Sequence, residues 1–169
     1  MRLLKVFFVG LCGLFLIITL LSLLIPSDVK VSRSVIINDT SSRIMGQLKD
    51  IREWHNWHPM FSAADATIKY NENGCDIFYK NKTTHLIFQS VTENSIKFLL
   101  KADGENDIQN QIFVNPIQQQ NARQVEWRAN IKLSWYPWEK FYGIFIDKIS
   151  GPGYEAALNG LKTHIESAP

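Results

Sequence analysis

Only two cysteines occur in 169 residues, and they cannot staple the chain. Cys12 lies in an apolar N-terminal run and Cys75 among polar-flanked residues, so the two would occupy different media. No basic cluster stands near Cys75 to lower its pKa, and it reads as a small buried hydrophobe. Net charge is scarce as well. Eighteen Lys and Arg stand against 16 Asp and Glu. Two of the basic residues, Arg2 and Lys5, belong to the acid-free N-terminal tail, which leaves the remainder at 16 against 16. A neutral domain lacks the electrostatic footprint that a phosphate backbone requires, so nucleic acid is not an expected partner.

The spacings of common catalytic sites are missing too. No serine sits in a nucleophile elbow, and no paired carboxylates stand at inward positions. His55 and His58 could share one helical face, but no Asp, Glu or Cys joins them at ligand spacing; Glu53 would point elsewhere. No catalytic residue, metal or cofactor is expected, which leans the reading away from an enzyme.

What the chain does have is apolar matter: 46% hydrophobic residues, 12% of the total aromatic. That fills the core of one ordinary domain, with room left for one membrane segment. From Leu3 to Ile25 the only charge is Lys5. About 20 residues at 1.5 Å each cross the ~30 Å hydrocarbon layer. A cleaved signal peptide is the alternative, but Leu24-Ile25-Pro26-Ser27 offers no small-x-small cleavage pattern. The expected division is a transmembrane anchor over 1–26 and a soluble domain over 27–169. Arg2 and Lys5 would hold the N-terminus in the cytoplasm and send the domain across, into a bacterial periplasm, although Lys30 and Arg33 oppose that bias.

Within the domain, Val29 to Asn38 alternates as a strand, and the Asn38–Ser42 run caps a helix reaching about Lys49. Asp50 to Phe61 is a short aromatic helix or turn, ended by Pro59. Six strands follow, at Ala66–Tyr70, Cys75–Lys80, His85–Thr92, Ser95–Ala102, Asp107–Ile117 and Arg123–Trp135, separated by turn-formers that imply an antiparallel meander. In the last of them Val125, Trp127, Ala129, Ile131, Leu133 and Trp135 share one face. The segment Pro137–Glu166 reads as one long covering helix, kinked or briefly broken at Gly151-Pro152-Gly153. Its stripe runs through Trp138, Phe141, Tyr142, Phe145 and Ile149, then Tyr154, Ala157, Leu158, Leu161 and Ile165. The fold class is therefore α+β.

This order resembles the helix-grip fold of the START-like, or SRPBCC, superfamily, which includes polyketide cyclase-like proteins. The likeness is carried by "VSRSVIIN" leading into "DTSSRIMGQLKD", by the Asp50, Trp54, Trp57, Pro59 cluster, and by "FIDKISGPGYEAALNGLKTHIE". It implies a curved antiparallel sheet wrapped around the long C-terminal helix, with a cavity between them. The lining so implied is Phe98, Trp127, Trp135, Tyr142 and Phe145, with His58 at the mouth and Trp57, Tyr79 and Asn110 nearby; the same side chains could simply fill the core. Arg33 and Asn110 share faces with apolar neighbours and could orient a ligand carbonyl.

The leading expectation is a membrane-anchored, monomeric binding domain for a hydrophobic small molecule or lipid, held at the membrane through residues 3–25. A cyclase or aromatase-like enzyme using the same cavity is the alternative, with His58, Tyr142 and Tyr79 as its titratable candidates. An envelope protein-interaction module is the third reading, which an apolar patch on the outer face of the sheet would favour.

Overall fold

The computed structural model describes residues 2–118 and 121–167. Part of the turn expected at 118–121, and the last two residues of the 27–169 domain, lie outside them. Helix α1 (Arg2–Ser22) is apolar, unburied from Leu3 to Leu21, and long enough to cross a membrane. Strand β1 (Asp28–Ile37) then leads into α2 (Ser41–Lys49), whose N-cap Thr40 accepts a bond from the Arg43 N–H at 3.4 Å. Of the short helix or turn expected over Asp50–Phe61, a single 3₁₀ turn forms, Glu53–Asn56.

The meander follows as β2 (Thr67–Asn71), β3 (Gly74–Tyr79), β4 (Lys82–Val91), β5 (Ser95–Ala102), β6 (Ile108–Pro116) and β7 (Arg123–Lys132). All pairs are antiparallel, and β1 closes onto β7 to give the order β1-β7-β6-β5-β4-β3-β2. A register shift between Phe88 and Ser90 in β4 marks an irregularity of the kind that bends a sheet. One face is apolar. On the other, Lys30, Ser32, Lys97, Gln109, Gln111 and Arg128 meet water, alongside the cross-strand pair Ile87 and Leu99.

The C-terminal segment departs from expectation in one respect. It is two helices, α3 (Pro137–Gly143) and α4 (Ile146–Ser167), and Pro152 sits inside α4 without ending it. The interruption falls at Ile144-Phe145, where the N–H groups of both residues bond three residues back, to Phe141 and Tyr142. Helix α4 packs on β1, β7 and α2, burying Ala157, Leu158, Leu161 and Ile165. It comes close to the backbone of the aromatic turn at Gly160, where a Cβ would stand 2.2 Å from the Trp57 carbonyl oxygen. Any side chain there would push the helix off the aromatic turn. An ion pair fixes the other end: Arg33 of β1 reaches the Asp147 carboxylate at 2.9 and 3.1 Å. That hydrogen bond lowers the Asp147 pKa and raises that of Arg33. Arg33 is thus committed to the scaffold.

Candidate hydrophobic binding cavity

Trp54 is where the site begins. The 3₁₀ turn carries it off the end of α2 into the sheet's concave face, and its indole N–H donates to the Leu48 carbonyl at 3.0 Å. The rings of Trp57, His58, Phe61, Phe88, Phe98 and Trp127 lie around it with centroids 5.1–6.2 Å away. Most of these contacts are tilted or edge-on, the arrangements that aromatic quadrupoles favour.

Beside this cluster the core is not filled. A cavity of about 380 Å³ remains between the sheet, the aromatic turn and α4. Its floor is Ile77, Leu86, Phe98, Leu100, Ile108 and Trp127, drawn from β3, β4, β5, β6 and β7. The turn contributes Trp54 and the His58–Phe61 stretch, and α4 contributes Ser150, Gly153, Tyr154 and Ala156. Only His58, Ser150 and Tyr154 bring polar side chains to it.

Burial sets the protonation of two of these. The His58 imidazole, stacked on Trp54 with 10° between the ring planes, has its pKa lowered to about 4, chiefly by desolvation. It is neutral at pH 7, and its Nδ1 accepts the Met60 N–H at 3.2 Å. Burial pushes the Tyr154 phenol up to about 12, so it stays protonated. Both rings lie against Trp127, at 5.8 and 5.2 Å. The walls therefore carry no net charge at neutral pH. Among the described residues no group of three His, Cys, Asp or Glu is placed to hold a metal ion.

Of the nine side chains expected around the cavity, three line it: His58, Phe98 and Trp127. Asn110 is buried behind Trp127, accepting its indole N–H at 2.9 Å and donating to the Ile108 carbonyl at 3.1 Å. It positions a wall ring and has no share in the wall. Asn110→Ala strands that N–H in the core and is expected to lower stability by about 1–3 kcal/mol, read from the urea midpoint of the full chain in mild detergent. Trp57 is buried behind Trp54 and His58, outside the lining. Tyr79 stands at the end of β3 beneath the Lys80 ammonium, also outside it.

Trp135, Tyr142 and Phe145 are more than half exposed. The alternation that placed Trp135 inward ends just past β7, because the pairing with β1 stops at Asp28 opposite Lys132, with one further bond from the Leu133 N–H to the Ser27 carbonyl. Tyr142 and Phe145 follow α3 and the break after it, away from the sheet. The residues that sequence reasoning passed over include the aliphatic Ile77, Leu86, Leu100 and Ile108, the turn residues Trp54, Met60 and Phe61, and Ser150 and Tyr154 on α4. Tyr154 was visible on the apolar stripe; the aliphatic residues carry no sign separating cavity wall from core. Cys75 is buried, and burial raises its thiol pKa to about 12, so it is not a nucleophile.

No family model matches the sequence, nor does any curated protein. Solved structures match the architecture instead. A START superfamily protein from Mycobacterium smegmatis superposes with a TM-score of 0.62 at 16% identity, over 82% of this chain and 97% of that one. The fold is START-like. XoxI from Bacillus cereus aligns with a TM-score of 0.63 at 13% identity, over 82% and 96% of the two chains. The Zhui aromatase/cyclase from Streptomyces sp. R1128 gives 0.59 at 11% identity, over 82% and 94%. At such identities the START-like helix-grip architecture is shared, and the chemistry of each member is its own.

Proposed function

We propose that this chain binds a hydrophobic small molecule or lipid in its START-like cavity, without covalent chemistry, while α1 anchors it in a membrane. The observation that carries this reading is the cavity itself. At about 380 Å³ it falls among ordinary ligand pockets, and its walls are apolar but for three side chains, none charged at neutral pH. Ser150 and Tyr154 supply hydroxyls that can orient one polar end of a ligand, such as a carboxylic acid or a carbonyl.

The anchor reading rests on 20 residues, Leu3–Ser22, of which only the last, Ser22, is buried. Arg2 and Lys5 at its start favour a cytoplasmic N-terminus and a domain on the far side, a periplasm in a bacterium.

The test is a titration of delipidated full-length protein in mild detergent with a conjugated polyene fatty acid, followed by quenching of tryptophan emission, since Trp54 and Trp127 are cavity walls. Saturable one-to-one quenching is expected. Leu100→Trp puts a large ring into the space and should weaken binding by more than about tenfold, as expected when a pocket is filled. Flat titrations with both fatty acids and phospholipids would rule the proposal out.

A cyclase-like enzyme remains the second reading, favoured by the aromatase/cyclase among the structural neighbours. Its acid–base groups would be His58 and Tyr154, in place of the Tyr142 and Tyr79 expected from sequence. Neither is tuned near neutrality, where general acid–base groups work best.

A further inference from the structure

The apolar stripe of α3 does not face the sheet. Trp135, Trp138, Tyr142, Ile144, Phe145 and Ile149 are all more than half exposed, a continuous stretch of large side chains on an otherwise polar domain. Soluble surfaces rarely carry such a patch uncovered.

Its position says what covers it. The aromatic segment begins where β7 ends, and β7 ends beside the point at which the chain leaves α1. The Leu133 N–H donates to the Ser27 carbonyl at 2.7 Å, and Asp28 pairs with Lys132. From α3 the buried Lys140 sends its ammonium to the Ile25 carbonyl at 3.1 Å and to the Ser27 hydroxyl. These bonds pin α3 to the last residues of the apolar run, where Leu23 and Leu24 are themselves exposed. If α1 spans a bilayer, that junction lies at headgroup depth, and whatever is pinned to it lies there too. Trp and Tyr, with an apolar body and a polar tip, are the side chains that settle in this layer.

We propose that the segment 135–149 is a second membrane contact, resting in the interfacial layer of the bilayer into which α1 inserts. This rests on the anchor reading above. The seat gives the cavity a direction. A groove lined by Tyr136, Trp138 and Tyr142 on the seated side shares Ile108 and Ser150 with the binding cavity. Seated in this way, the domain holds that shared border of its cavity on the side of the lipid. Of the nearby acids, Asp147 is paired with Arg33, Glu105 and Asp107 with Lys82 and Lys101, and Glu139 with Asn106, while Asp28 at the junction is exposed.

The test uses the full chain in phosphatidylcholine vesicles whose lipids carry bromine either near the glycerol or near the chain ends. Trp54, Trp57 and Trp127 are buried in the domain, so the emission that disappears in the W135F/W138F variant reports the patch alone. Shallow bromines are expected to cut that emission by roughly half, and deep bromines to cut it much less, as for indoles at headgroup depth. An alkaline carbonate wash separates the two ideas. A chain that stays in the vesicles with Trp135 and Trp138 unquenched overturns the seat and leaves the anchor standing. A chain washed off overturns both. Unquenched indoles together with α3-to-α3 crosslinks would assign the patch to a second copy of the chain, and so also overturn the seat.

Discussion

Trp54→Ala is expected to destabilise the domain by about 3–5 kcal/mol, the range for truncating a large buried aromatic. The residue is 1% exposed, and six rings surround it. Removing it leaves a void next to a cavity that already exists, so collapse into the gap cannot recover the lost contacts. The Leu48 carbonyl at the end of α2 also loses its donor. Domains of this size have about 5–15 kcal/mol of stability, so the variant sits near the edge of folding. The midpoint of urea unfolding for the full chain in mild detergent reads this directly. Trp54→Phe keeps a ring and should forfeit less than half as much; a loss below about 1 kcal/mol for the alanine variant would contradict the hub role given to Trp54.

The second large effect is on acid stability, through His58. Its folded pKa is about 4, against 6.5 for the free side chain. Above pH 6.5 the ring is neutral in both folded and unfolded chains and adds no pH dependence. Between 6.5 and 4 the unfolded chain takes up a proton that the folded chain refuses, so stability falls as the pH falls. Below 4 both forms are protonated and the loss levels off, at about 3 kcal/mol for a shift of this size. His58→Phe keeps a ring in the stack and should flatten the slope across that window. The carboxylates whose pKa values are lowered, Glu126 by Arg128, Asp147 by Arg33, and Glu139, against the opposing effect of burial, by its hydrogen bonds from Asn106 and Ser134, lose their contribution as the pH drops beneath the carboxylate range, and they do so equally in both proteins. The difference between the two stability–pH curves therefore isolates His58; parallel curves from pH 7 to 4 would show that the imidazole is solvated after all.

Most of the architecture was legible because it follows from periodicity and turn chemistry. The alternation from Val125 to Leu133 gave β7 and its buried face, and the Asn38–Ser42 run of cap residues gave the region in which α2 starts, at the Thr40 cap. The site was legible only in part, for two physical reasons. An apolar stripe declares that a helix face needs cover, but not what covers it. Trp138, Tyr142 and Phe145 satisfy the helical pattern as well as Leu158 and Leu161 do, yet only the second set meets the sheet. A cavity, moreover, is a property of volume left over, which no single residue announces. Leu86, Leu100 and Ile108 border it, while Ile96 and Ile112 on the same strands lie in closed core. The departure at Pro152 is of another kind. Gly-Pro-Gly suggests a break, but the helix runs on, with Gly151 laid against the Arg33 guanidinium.

The most direct measurement of the central claim is photolabelling of the full chain in vesicles with a fatty acid carrying a diazirine on its chain, followed by peptide mapping. Label is expected on Met60 and Phe61, on the Leu100–Ile108 stretch and on Gly153–Ala156, and should disappear from all three in the Leu100→Trp variant. Label confined to residues 3–25 and 135–149, with the cavity peptides clean, would mean that lipid touches this protein only from outside.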